Sequence, residues 1–278
     1  MNMNTFILDA CTLINLLRID EDEILYKHLQ TYNIKIAGTV FNEFKTNIYK
    51  NGYTSEMRDR IDRYLPSISL LVESDENIKN NNNSISNEYC ERVQELTHHN
   101  KYDGELYSLL LSLYLSRCEM AHVNLYSDDK PAMDQFREYF MIQQLGILGD
   151  SIDLLLYMFC HSDKISEIDL GRFLENLKSE YNIRERNFVR EIEEYRAKIT
   201  NVRSRKNIVA TLNSIIYNYR SKDFDKLYAA IEELESYHDN EIRQILRRCR
   251  PQPSSIPIVN RVNEIQQMLK RYNIFKLV

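Results

Sequence analysis

The sequence predicts an α/β domain with a central parallel sheet over residues 1–175, followed by an all-α domain over residues 176–278. Three observations lead there. Short runs of Ile, Val, Phe and Leu alternate with helix-compatible stretches through the first part, as expected of parallel strands joined by right-handed crossovers. Beyond Asn176 no strand-like run recurs, and the apolar positions keep helical spacing without a lasting heptad, which favours a small bundle over an extended coiled coil. The charge also reverses: residues 1–175 carry 16 Lys and Arg against 28 Asp and Glu, and residues 176–278 carry 20 against 13. A basic part often accompanies nucleic-acid handling, because Lys and Arg displace counterions from phosphates.

The first strand is Thr5 to Leu8, which passes through Asp9 into the helix-compatible "TLINLL". Ile34 to Ala37 repeats the design: a turn at Gly38-Thr39 leads into a helix from Val40 that carries Glu43 in its first turns. "YTSEMRDRIDRYL" reads as a helix closed by Pro66, then a strand from Ile68 to Val72, then a polar, Asn-rich surface loop over 74–86. "DGELYSLLLSLYLSRC" opens with acids and is leucine-rich nearly all round, the mark of a helix buried on several sides. "AHVNLYSDD" supplies another strand ending at acids. A helix, a brief strand near Leu145, a turn over Gly146 to Gly149, an apolar helix and a further helix follow. The basic part is predicted as successive helices broken at Ser221 to Asp223, with "RPQPSSIP" as a linker before a last helix over about Asn260 to Arg271.

Glycine (6) and proline (5) are scarce, which favours helix over open loop, and 43% apolar residues supply a core for one large domain or two modest ones. The five cysteines form no CxxC pair and leave an odd one over, so they read as reduced thiols. The N-terminus lacks a basic segment ahead of its apolar stretch, Asp9 interrupts that stretch, and no run approaches the roughly 20 apolar residues that span a bilayer. The expectation is a cytoplasmic chain with no membrane contact.

Four carboxylate stations stand out: Asp9, Glu43, Asp103 with Glu105, and Asp128 with Asp129. Each is read as lying at a strand-to-helix transition, and in a parallel sheet such transitions converge on the carboxyl edge, where ligands bind. Carboxylates gathered there repel one another unless cations or raised pKa values relieve the charge. With no His or Cys read into the group, the ion that suits it is Mg2+ or Mn2+. Such a site activates water and neutralises charge on a phosphate in line for displacement, which is nuclease chemistry. Taken singly, each acid is also an ordinary helix cap.

The order of these segments resembles the PIN-domain ribonucleases. "FILDACTLINLL" is similar to their opening, in which a strand delivers the first catalytic aspartate into an "LI-L" helix. "VFNEF" resembles their second station, "DGELYSLLLSLYL" a variant "GE" helix start, "LYSDDKPA" their "TDDK-A" ending, and "LGILGDSIDLLLYMFCHSDKIS" the closing strand and helix of a subgroup. The resemblance covers about residues 4–175 and implies a PIN-like three-layer sandwich with a central parallel sheet. It also implies a metal-dependent endoribonuclease, toxin-like or of RNA processing or defence, acting on RNA. The metal-binding and catalytic acids it implies are Asp9, Glu43, Asp103 or Glu105, and Asp128 or Asp129, with Asp128 favoured for the metal. Two further readings stand beside it: a catalytically silent PIN-like scaffold that binds a protein partner, and a nuclease acting on single-stranded or flap DNA. An inhibitory or regulatory partner that covers the acidic edge, and self-association, belong to the same expectation.

Other candidates carry less chemistry. "THHNK", with His98 and His99, reads as a solvated loop, and the histidines lack zinc spacing. "GILGDS" lacks the lysine of a phosphate loop, and Ser127 reads as a cap or a support for a ligand. In the basic part, Arg203, Arg205 and Lys206, and Arg247 and Arg248, lie near Tyr217, Tyr219 and Tyr237 and are candidate RNA contacts through phosphates and stacking.

Overall fold

The strand β1 (Asn4–Leu8) is buried on both faces from Thr5 to Leu8, as the apolar run Phe6-Ile7-Leu8 requires of a central parallel strand. The protein, a computed structural model, is described over residues 4–49, 55–75, 83–199, 205–221, 223–249 and 255–272. After β1 come α1 (Ala10–Ile19), α2 (Ile24–Leu29), β2 (Ile34–Ala37), α3 (Gly38–Asn47), α4 (Ser55–Ser69), β3 (Val72–Glu73), α5 (Asn83–Thr97) and α6 (Gly104–Cys118). Then follow β4 (His122–Tyr126), α7 (Lys130–Gln143), β5 (Gly146–Gly149), α8 (Ser151–Cys160), α9 (Glu167–Ile199), α10 (Lys206–Ser221), α11 (Phe224–Glu235), α12 (Asn240–Cys249) and α13 (Ser255–Tyr272). The expected α/β class with a parallel sheet and a helical remainder is present.

The five strands pair in the order β3-β2-β1-β4-β5, every neighbour parallel. β1 therefore has its sequence successor on one side and β4 on the other, and the chain changes direction across the sheet between them. That crevice, beyond the carboxyl ends of β1 and β4, is where such sheets bind ligands. The register levels the strand ends: Leu8 pairs with Tyr126, and Tyr126 with Gly149. The ladder runs one step further, with the Asp9 N–H donating to the Tyr126 carbonyl at 3.0 Å and the Ser127 N–H to the Gly149 carbonyl at 2.9 Å.

Several local expectations change. Gly38 and Thr39 begin α3 rather than form a turn, and Pro66 lies inside α4, which runs on to Ser69. The strand expected over 68–72 contracts to Val72–Glu73, and the loop expected over 74–86 already contains the start of α5 at Asn83; residues 76–82 lie outside the described residues. Gly146–Gly149 is a strand and not a turn. Its glycines read locally as a turn, but Gly146 has φ +148°, and a Cβ there would lie 2.0 Å from the Val123 carbonyl oxygen. Only glycine lets β5 approach β4 so closely.

The chain divides into two compact units, Met1–Leu177 with Met268–Val278, and Lys178–Gln267. The expected boundary after residue 175 falls inside the continuous helix α9, two residues before this division. The second unit has its own core at helical spacing: Phe188, Ile192 and Tyr195 of α9 meet Leu212 and Ile215 of α10, and Leu227 and Ile231 of α11. Cys11, Cys90, Cys118 and Cys160 are free thiols. Among the described residues, no helix is long and apolar enough to cross a membrane.

Candidate functional site

Asp9 follows β1 and caps α1, its Oδ1 accepting from the Ala10 N–H at 2.7 Å. Its Oδ2 accepts from the Cys11 thiol and the Ser127 hydroxyl, each at 2.9 Å. Burial pushes this carboxyl above its ordinary range, against the lowering effect of those hydrogen bonds, and the charge of Asp129 adds to the rise. Burial, followed by the charges of Asp9 and Asp128, raises the Cys11 thiol well above its usual value, so it stays protonated and serves as a donor.

After β4, the two adjacent aspartates diverge. Asp128 is 2% exposed and turns inward: Oδ1 accepts from the Ser151 N–H at 2.8 Å, and Oδ2 from the Asn15 amide at 2.6 Å and from the Ser151 hydroxyl. It ties the start of α8 to α1. Asp129 caps α7, with Oδ1 accepting from the Ala132 N–H at 3.3 Å, and its Oδ2 takes no hydrogen bond from the described residues. Its charge raises the carboxyls of both Glu105 and Asp9. The geometry therefore favours Asp129, where the sequence favoured Asp128, as the carboxylate that faces the shared space.

The third station does not follow a strand. α6 comes after α5 and a short loop, and it is packing against α3, β1, β2 and β4 that carries its N-terminus to the sheet edge. Asp103 caps α6, accepting from the Leu106 N–H at 3.3 Å. The Gly104 N–H donates to Glu43 Oε1 at 3.0 Å, and a Cβ on Gly104 would lie 2.7 Å from Glu43 Oε2. Glu43 of α3 is thus seated on the backbone between Asp103 and Glu105. Burial raises Glu43, with added effects from Asp9 and Asp103, and burial with the charges of Asp129 and Asp103 lifts Glu105 to about 7.

The sequence places His99 in a solvated loop, yet its side chain is only 11% exposed and joins this group. Its Nε2 lies 2.8 Å from Asp103 Oδ1 and its Nδ1 lies 3.5 Å from Glu105 Oε2. One ligand atom from each of His99, Asp103 and Glu105 falls within 4.8 Å of the other two. Cys11 also lies in the group, so the expectation of acids without His or Cys is corrected: tertiary packing brings in both. For His99, the spacing His-x3-Asp-x-Glu was the available signal. Asn15 and Ser151, which hold Asp128, had no local signal at all.

The donor set suits a divalent cation. Several carboxylates converge, burial first and the charges of neighbouring acids second raise Asp9, Glu43 and Glu105, and no hydrogen bond from the described residues reaches Asp129 Oδ2 or Glu43 Oε2.

The basic candidates are less united. The Arg205 guanidinium bonds the Tyr195 hydroxyl at 2.6 Å and lies 3.1 Å from Asp239, an arrangement internal to the second unit. Lys206 and Arg247 are exposed, Arg203 lies outside the described residues, and the Arg248 side chain is not described. Tyr217 is exposed, whereas Tyr219 and Tyr237 pack on the core.

Fold and site together define an α/β chain with a carboxylate cluster at the direction change of a parallel sheet. The chain matches no model of a protein family, no curated protein and no solved structure.

Proposed function

We propose that this chain is a PIN-like, metal-dependent endoribonuclease whose first unit is a three-layer α/β/α sandwich. The observation that carries the reading is the convergence of Asp9, Glu43, Asp103, Glu105 and Asp129, drawn from separate segments, on the carboxyl edge between β1 and β4. These acids would hold Mg2+ or Mn2+, which when bound would supply a Lewis acid and an activated water for phosphodiester hydrolysis. The chain's own part is orientation: Ala10, Cys11 and Ser127 fix Asp9, Gly104 fixes Glu43, and Asn15 with Ser151 lock Asp128 behind them. With no cation beside it Glu105 is lifted to about 7, and a bound divalent ion would hold it as the carboxylate. RNA as the substrate rests on the sequence resemblance.

The test is cleavage of labelled RNA and single-stranded DNA by purified protein with Mg2+ or Mn2+. The unmodified protein should cut RNA, and Asp9→Asn and Asp129→Asn should each abolish cutting while keeping the fold. Activity that survives in both variants overturns the metal-site assignment. An intact but inert protein points to the scaffold reading, and preference for DNA points to the flap or single-strand nuclease.

A further inference from the structure

We propose that His99, with Asp103 and Glu105, forms a one-nitrogen, two-oxygen ligand set for a first-row transition-metal dication, bound in preference to Mg2+. This deepens the reading of the carboxylate cluster as a hydrolytic metal site and rests on it, but it concerns which ion the cluster selects and through which atom.

The loop that carries His99 is built to present it. His98 sits in the left-handed region at φ 55°, uncommon for a residue with a side chain, and turns the backbone sharply after α5. The His99 N–H then donates to the Thr97 hydroxyl at 3.3 Å, and the Phe136 ring stands edge-on to the imidazole at 6.1 Å between centroids. The ring is therefore held inward, with a carboxylate oxygen beside each nitrogen. A single ion would take one of these nitrogens together with an oxygen from each of Asp103 and Glu105, the three ligand atoms that lie within 4.8 Å of one another.

Spacing agrees. In an octahedral site with bonds of about 2.1 Å, neighbouring donors lie about 3.0 Å apart and opposite ones about 4.2 Å apart. The three ligand atoms, mutually within 4.8 Å, need only a small contraction. Glu43, whose Oε2 would lie 2.7 Å from a Cβ on Gly104, the residue between Asp103 and Glu105 in the chain, is a further candidate oxygen donor. An imidazole among carboxylates shifts preference toward Mn2+ and later first-row ions, since Mg2+ favours oxygen and sheds water reluctantly.

The experiment uses Mn2+ and Mg2+ as probes on the full chain. Calorimetry should show Mn2+ bound about tenfold or more tightly than Mg2+, and pulsed EPR of the Mn2+ complex should show coupling to one imidazole nitrogen-14. His99→Gln should remove that coupling and most of the preference, whereas His161→Gln, on the exposed end of α8, should keep both. Thermal melting of His99→Gln reports folding, and Glu105→Gln, which leaves the imidazole in place, should weaken Mn2+ while retaining nitrogen coupling. A Mn2+ complex of the unmodified protein without nitrogen coupling, coupling that survives His99→Gln, or no Mn2+ binding overturns the proposal. RNA cleavage without nitrogen coupling sinks this inference alone. Nitrogen coupling without any cleavage supports it and removes the hydrolase reading.

Discussion

Asp128 accepts hydrogen bonds from Asn15 and Ser151 in the interior, whereas Asp129 uses one oxygen on the start of α7 and leaves the other toward Glu105 and Asp9. Asp128→Asn places amide hydrogens against those donors and should cost about 1–3 kcal/mol of stability in urea denaturation. Asp129→Asn keeps a competent cap, so it should leave the urea midpoint nearly unchanged and act on metal affinity. Glu105 gives a pH prediction. Its folded-state value near 7 lies above the ordinary 4.5, so between those limits the folded protein holds more protons than the unfolded chain. Metal-free protein should therefore melt at a lower temperature as pH rises from 5 to 8, with Glu105→Gln flattening the slope and Mn2+ giving its largest gain at the alkaline end. The candidate acids were legible in the sequence because Asp9, Asp103 and Asp129 cap helices, Glu105 lies in a first turn and Glu43 follows a strand within two turns. Which aspartate turns inward was not, because Asn15 and Ser151 come from distant segments.

At the scale of elements, β5 shows where a local signal misleads. Glycines 146 and 149 flank two apolar residues, a pattern shared by a turn and by a short strand that lies too close to its neighbour for side chains. Gly146→Ala should destabilise the protein by well over about 1 kcal/mol, read as a lower thermal midpoint, since alanine neither tolerates that φ nor fits against Val123. Gly104→Ala is a different case, because its added methyl meets the flexible end of Glu43 rather than backbone. It should lower metal affinity much as Glu43→Gln does and change the melting temperature little. α6 belongs to the same lesson: its leucine-rich sequence announced a buried helix, but only its packing against α3 and the sheet brings Asp103 and Glu105 to the edge.

At the scale of the whole molecule, the second unit holds a core of its own, in which Leu212 is fully buried. Leu212→Ala should cost about 2–5 kcal/mol, read by denaturant unfolding, with the Mn2+ affinity of the folded protein preserved. The sequence by itself determined the α/β class, the parallel strands and the helical remainder, and it marked out the candidate acids. Those follow from periodicity, caps and turns, which neighbouring residues write. Only the tertiary structure decided that His99 and Cys11 join the acids, that Asp129 faces them while Asp128 is locked behind, and that a glycine run is a strand. Each depends on segments far apart in sequence meeting at the end of one sheet, where burial and charge act across space and not along the chain.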